Sequence, residues 1–182
     1  IIAASSASGA VIMWNIETGK EVARYEHHSK GSFSVAWNAL RPDILASSSA
    51  DRSVVIFEVD ENTLLQEENS VVRGSQKHQK KVVTDSVIKM KVSLSVQIFG
   101  VNFCPTVANY LVAGGQDGIV RLFDYMLRTP LIAVMKGHLS RVFNCTWSTL
   151  VPGLIASGSD DKNINVWKVN MDELIEDDPG SN

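Results

Sequence analysis

The sequence predicts an all-β fold assembled from tandem copies of one small sheet, and three observations carry that prediction. The phrase Ala156 to Trp167, ASGSDDKNINVW, returns in three looser versions: AASSASGAVIMW ending at Trp14, ASSSADRSVVIF ending at Phe57 and VAGGQDGIVRLF ending at Phe123. Their end positions are 43, 66 and 44 residues apart, and a second landmark (Trp37, Phe103, Trp147) repeats the steps of 66 and 44. Third, alternation at period 2 and β-branched residues prevail, whereas helical periodicity is confined to a weak acidic stretch at the C-terminus. A repeat of this length is the mark of a radial or stacked architecture. The unit is therefore 43 or 44 residues, and about 22 additional residues sit in the third interval.

The elements follow in order within each unit, most clearly after His138. Residues 142–148 make a first strand, 149–153 a Pro-Gly loop, and 154–159 a second strand. Residues 160–162 then turn the chain into a third strand over 163–168. A fourth strand comes about seven residues after the tryptophan position, as at 21–25 and 131–135. The first unit lacks its first strand. The last lacks its fourth, because Leu174-Ile175-Glu176-Asp177-Asp178-Pro179 is too acidic and is broken by proline. Fourteen strands are expected. The unit boundaries fall at about 1–26, 27–66, 88–136 and 137–169, with an insertion at 67–87 and an acidic tail at 170–182. The run Ile88, Met90, Val92, Leu94, Val96, Ile98 alternates with polar residues. It reads as one long strand or hairpin arm entering the third unit.

These residues resemble the WD-repeat (WD40) family. Gly137-His138, Ser157, Asp161 and Trp167-Lys168 match its pattern, with lysine where the aspartate of the name would stand. Phe123-Asp124 and Trp14-Asn15 are softer versions. The resemblance covers nearly the whole chain outside about 66–92. It implies a partial WD40-type β-propeller arc of about 3.5 four-stranded blades, and a scaffold that offers loops to other proteins. The chain starts without methionine inside a strand pattern, so a longer polypeptide that completes the ring is expected.

Composition and motifs bear on function by exclusion. Charge is nearly balanced, 17 basic against 20 acidic side chains, which argues against a surface given over to nucleic acid. Two cysteines make no disulfide framework. Cys145 holds the register position of Val35 and Val101, so it reads as a core residue of an intracellular, cytoplasmic protein. His138, Ser157 and Asp161 invite a catalytic-triad reading. The same trio recurs as His28, Ser47 and Asp51, which an active site seldom does, and there is no Gly-x-Ser-x-Gly elbow. The resemblance implies a structural chain instead: aspartate to histidine to serine to Trp167. In the second unit Phe57 loses the indole donor. In the third, Leu94, Ala113 and Phe123 leave Asp117 without its partners. The four histidines lack zinc-site spacing, and no phosphate loop or paired carboxylates appear. No enzyme, cofactor, metal or small-molecule substrate is expected.

Five residues after the histidine position stand Phe33, Phe99 and Phe143, again 66 and 44 apart. The resemblance places them near the top opening, where they either form an aromatic crescent for a partner or pack between blades. Gln116, Asp160 and Arg141 are the polar candidates beside them, the last two either contacting a partner or pairing with each other. The insertion carries Arg73-Gly74-Ser75-Gln76-Lys77-His78-Gln79-Lys80-Lys81, a solvated loop or, in the second reading, a contact for nucleic acid or an anionic membrane.

Overall fold

The computed structural model describes residues 1–60 and 84–172 and contains, among them, four antiparallel sheets. The first is β1 (Ile2–Ser5), β2 (Val11–Trp14) and β3 (Glu21–Tyr25). The second is β4 (Ser32–Trp37), β5 (Ile44–Ser49), β6 (Ser53–Glu58) and β7 (Val87–Ser93). The third is β8 (Ile98–Phe103), β9 (Tyr110–Gly115), β10 (Ile119–Asp124) and β11 (Leu131–Lys136). The fourth is β12 (Val142–Trp147), β13 (Leu154–Ser159) and β14 (Ile164–Lys168). Each is a meander in chain order, and the sheets meet through their inner strands, β1 on β4, β4 on β8 and β8 on β12. They are blades of a partial WD40-type propeller.

No single core serves the molecule; each pair of neighbouring sheets encloses its own. Val11, Met13, Ala23 and Tyr25 meet Leu45, Val55 and Phe57 between the first two blades. Ile44, Val54 and Ile56 meet Ile98, Val101, Phe103 and Leu111 between the second and third. Tyr110, Val112, Val120 and Leu122 lie under Val142, Cys145, Trp147 and Ile155 of the fourth. Middle strands covered on both faces read as unbroken apolar or small runs rather than as alternation. β5 and β9 are accordingly buried at every position. Cys104 and Cys145 are both free and buried, and burial pushes the Cys145 thiol up to about 12. That leaves Cys145 a small apolar residue at neutral pH.

One boundary differs from the sequence reading. Residues 88–98 are not one strand entering the third blade: β7 pairs with β6 from Ser53↔Ser93 to Glu58↔Val87, and the chain turns at 94–97 before β8. The inserted residues therefore fall between the third and outer strands of the second blade, and 87–93 belong to that blade rather than to the unit beginning at 88. Period-2 alternation identifies a strand but says nothing about its partner, and the turn Leu94-Ser95-Val96-Gln97 itself alternates apolar with polar, so it does not interrupt the pattern. Residues 61–83, with the basic cluster Arg73 to Lys81 and most of the expected insertion, and residues 173–182 of the acidic tail lie outside the described residues.

The returning segment before β7 ties the first two blades together at their outer rim. Thr84 N–H donates to the Arg24 carbonyl (2.8 Å), and the Thr84 hydroxyl accepts from Arg24 N–H (3.3 Å). Ser86 Oγ lies 2.9 Å from His27 Nε2, and Lys91 Nζ donates to the His27 carbonyl.

Candidate interaction surface and the network that frames it

The turn between second and third strands sets the geometry of each blade's upper end. Its tip residue takes positive φ in every blade: Gly9 (92°), Arg52 (72°), Gly118 (76°) and Lys162 (69°). Glycine is required where the next blade's histidine loop leans on the turn. A Cβ on Gly118 would stand 2.6 Å from the His138 carbonyl oxygen, and one on Gly9 2.5 Å from that of His28. Arg52 is followed by a blade with Leu94 at the histidine position, and there a side chain is accommodated.

Behind that turn lies a chain of hydrogen bonds, complete in the fourth blade. Trp167 Nε1–H donates to Ser157 Oγ (2.8 Å), and Ser157 Oγ lies 2.8 Å from His138 Nε2. His138 Nδ1 lies 2.9 Å from Asp161 Oδ2, which also accepts from Leu139 N–H. An ionised carboxylate only accepts, so Nδ1 carries the proton and the serine hydroxyl donates to Nε2. The second blade repeats this with Ser47 Oγ at 2.8 Å from His28 Nε2 and Asp51 at 3.2 Å from Nδ1; Ser53 Oγ adds a bond at the carboxylate end, donating to Asp51 Oδ1 and lying 2.9 Å from Nδ1. The order of groups is that of a hydrolytic triad, but Ser157 is 2% exposed and Ser47 0%. No carbonyl carbon can approach either oxygen, and the Trp167 donor occupies one of the lone pairs a nucleophile would use. What the chain can do is pair four buried polar groups and fix the register of three strands.

Electrostatics follow from this burial. Burial pulls the Asp161 carboxyl upward, but hydrogen bonds from Leu139 N–H, Asn163 N–H and His138 overcome it and hold the group down at about 2. Asp51 is likewise held at about 2, burial being overcome by the Ser53 hydroxyl, the Ser29 and Ser53 amides and His28. Burial lowers His28 against the pull of Asp51, so at neutral pH this is a neutral imidazole on a carboxylate rather than an ion pair. Asp117, expected to be alone, is not. Arg121 reaches it from β10 in a fork, Nη1 to Oδ1 at 3.0 Å and Nη2 to Oδ2 at 2.5 Å, and is itself buried. In the blade without histidine a guanidinium holds the turn carboxylate. A charged residue in an otherwise apolar third strand (Val-Arg-Leu-Phe) was the available signal.

His27 carries a separate consequence for pH. Burial, with smaller contributions from His28 and Lys91, lowers it to about 4. Its folded value lies below the ordinary 6.5, so the unfolded chain binds the proton first and stability falls as pH drops from about 6.5 to 4. The two aspartates add a second loss between about 4 and 2. Melting temperature measured across pH should therefore decline in two stages, the first worth up to about 3 kcal/mol. A His27→Asn chain should lose part of the first stage, and an unchanged profile in that chain would contradict the assignment.

On this upper end the three phenylalanines come together. Each stands at a bulge in its inner strand, where the register shifts between Ser32 and Ser34, Ile98 and Gly100, and Val142 and Asn144. A bulge leaves one residue unpaired and re-aims its side chain, and in all three blades that residue is phenylalanine. Ring centroids lie 4.9 Å apart for Phe33 and Phe99 and 5.3 Å for Phe99 and Phe143. The rings thus pack on one another across blades while remaining open to solvent, Phe33 at 44% and Phe143 at 47%. The rings therefore pack between blades, and their partly exposed faces form a continuous row. Arg141 pairs with Asp160 through Nε (3.2 Å) and Nη2 (2.7 Å), and its guanidinium stands 5.5 Å over the Phe143 ring. Backbone bonds bring the turns beside the row: Ala50 N–H to the Gly31 carbonyl, Gln116 N–H to that of Gln97 and Asp160 N–H to that of Arg141. Gln116 is exposed at the second of these turns.

Among the described residues no group of three or more His, Cys, Asp or Glu side chains could hold a metal ion. No helix among them is long and apolar enough to cross a membrane.

Four meandering sheets packed face to face make a partial propeller, and the histidine–serine–tryptophan chain in the last has the pattern of a WD repeat. Residues 129–168 match the WD40 family model, described as "WD domain, G-beta repeat". The chain is similar to E3 ubiquitin-protein ligase COP1 of Arabidopsis thaliana, 24% identical over 168 residues that cover 92% of this chain and 21% of the relative. DDB1- and CUL4-associated factor 13 of Danio rerio is 23% identical over 193 residues, 91% of this chain and 41% of the relative. Protein SPA1-RELATED 3 of Arabidopsis thaliana is 34% identical over 65 residues, 36% of this chain and 8% of the relative. The chain spans about a fifth of the length of the COP1 relative it matches.

Proposed function

We propose that this chain is a non-enzymatic protein-interaction scaffold whose partner surface is the aromatic row Phe33, Phe99 and Phe143, with Arg141, Asp160 and Gln116 at its edge. WD40 repeats imply an interaction scaffold, and the observation that carries the finer reading is the repeated bulge. Three consecutive blades spend an unpaired strand position on holding a phenylalanine partly in water, where burial would be the more favourable place for it. Large aromatic side chains on a rigid frame make effective anchors, because little conformational entropy is lost when they are covered. Two relatives are named as a ubiquitin ligase and as a factor associated with DDB1 and CUL4. Those names suit a module that recruits one protein to another, though they describe the relatives.

The same reading gives the fourth blade a neighbour. Val120 and Leu122 of the third blade are fully buried beneath the fourth, whereas Ile164 and Val166, the corresponding residues of the fourth, are 77% and 64% exposed. A further blade from the protein's own longer chain is the natural cover for that face.

Affinity capture with the full-length protein tests the proposal. A Phe33→Ser, Phe99→Ser, Phe143→Ser chain should lose its captured partners while melting within a few degrees of the parent. Arg141→Glu should reduce capture with unchanged melting, because an exposed pair contributes little to stability. Undiminished capture by the triple variant would dispose of this surface.

A further inference from the structure

We propose that the partner segment seated on the aromatic row is an acidic peptide carrying a bulky apolar anchor. The inference rests on the reading of the row as the partner surface and adds the chemistry of what it takes. Around the row, the carboxylates and the cations of the upper loops are in opposite states. Asp51 is held by His28, Ser29 N–H and Ser53. Asp117 is held by Arg121, and Asp161 by His138, Leu139 N–H and Asn163 N–H. Asp160 is engaged by Arg141. The cations are free by comparison. Lys30, Arg52 and Lys162 are exposed, and among the described residues none of their side chains has a partner. Arg141 uses Nε and Nη2 on Asp160, and its Nη1 has none either.

The fold places these cations beside the rings. Lys30 stands three residues before Phe33, on the loop that leads into β4, with its carbonyl accepting from Ser49 Oγ at the second blade's turn. Arg52 and Lys162 sit at positive-φ tips of the turns that the Ala50–Gly31 and Asp160–Arg141 backbone bonds hold against the inner strands. Free donors thus stand at the second and fourth blades, with apolar rings between them. An extended peptide laid along the row would put its apolar side chain on Phe99, the middle ring, and carboxylates toward Lys30 and Arg52 on one side and Lys162 and Arg141 on the other. Such an arrangement contributes more to encounter rate and selectivity than to raw affinity. A nucleic acid fits less well. Three unpaired cations on a chain with 17 basic against 20 acidic side chains are few for the phosphate-by-phosphate neutralisation on which nucleic-acid binding depends.

The test is selection of a random-sequence peptide display library on the full chain, with the recovered peptides synthesised as labelled probes. Recovered sequences should place Asp or Glu on both sides of a Leu, Ile, Phe or Trp. Their affinity should drop at least about tenfold in Lys30→Glu/Lys162→Glu, and separately in Phe99→Ser. Phe33→Ser, at the open end of the row, serves as the second aromatic variant, and every variant is first checked for a parental melting curve. Probes that need the phenylalanines but lack acidic residues and ignore the lysine changes would overturn the acidic assignment and leave the scaffold reading standing. Probes indifferent to both phenylalanine variants, or a selection that recovers nothing, would overturn both. A labelled single-stranded oligonucleotide bound with the same dependence on Lys30 and Lys162 would replace the peptide with nucleic acid.

Discussion

Ser157→Ala is expected to lower the stability of the chain by about 2–4 kcal/mol, a large effect for the removal of one oxygen atom. The hydroxyl is 2% exposed and serves two partners at once, accepting from Trp167 Nε1 and donating to His138 Nε2, each at 2.8 Å. Its loss strands a buried donor and a buried acceptor, and the cost is desolvation left unrepaid rather than a missing attraction. The third blade shows how the position can be apolar without that cost. There Ala113 stands at the serine position, Phe123 at the tryptophan position and Leu94 at the histidine position, so nothing is stranded. Adding Trp167→Phe to Ser157→Ala should therefore recover part of the loss, since the indole N–H no longer needs an acceptor. Chemical denaturation of the three chains gives the comparison, and a double variant less stable than Ser157→Ala alone would contradict the network. Asp161→Ala should also lower the melting temperature, by removing the group that fixes the His138 tautomer.

Phe57→Trp is expected to be destabilising by about 1–3 kcal/mol, and His27→Gly in the same chain to reverse most of that. The two blades with a histidine network solve one volume problem in two ways. In the fourth, Trp167 fills the space so fully that a Cβ on Gly137 would come 2.9 Å from its Cη2. In the second, the smaller Phe57 leaves room, and the imidazole of His27, at the position of Gly137, packs edge-on against it at 4.6 Å. Ring size and the residue before the network histidine are thus matched, Trp with Gly and Phe with His. An indole at 57 would collide with His27, whereas with glycine there it could take the Trp167 pose and reach Ser47. Melting curves of the single and double variants decide the point. A double variant no more stable than Phe57→Trp would show that size matching is not what links the pair.

The repeat was legible because two landmarks hold one register, and equivalent positions then inherit one another's environment. Phe33, Phe99 and Phe143 align on that register alone. Their shared bulge was not legible, because an extra strand residue changes neither spacing nor composition when every unit carries it. The placement of 87–93 failed for a different reason: alternation fixes the pleat of a strand, and pairing is decided by the edge that happens to be free. Arg121 does not stand at the repeat's histidine position, which is Leu94 in this blade, so register alone does not point to it. The physical question was which donor satisfies Asp117, and the answer lay four residues along the same hairpin. The match of His27 with Phe57 needed side-chain volumes, which the aligned letters do not carry.

The proposed division of labour is that the buried network holds the blades while the bulge phenylalanines serve a partner. Parallel measurement of partner capture and thermal melting on two chains, Ser157→Ala and the Phe33/Phe99/Phe143 serine triple variant, tests it most directly. Ser157→Ala should melt well below the parent yet capture normally while still folded, and the triple variant should melt near the parent yet capture nothing. Normal capture by the triple variant, or loss of capture in a folded Ser157→Ala chain, would contradict that division.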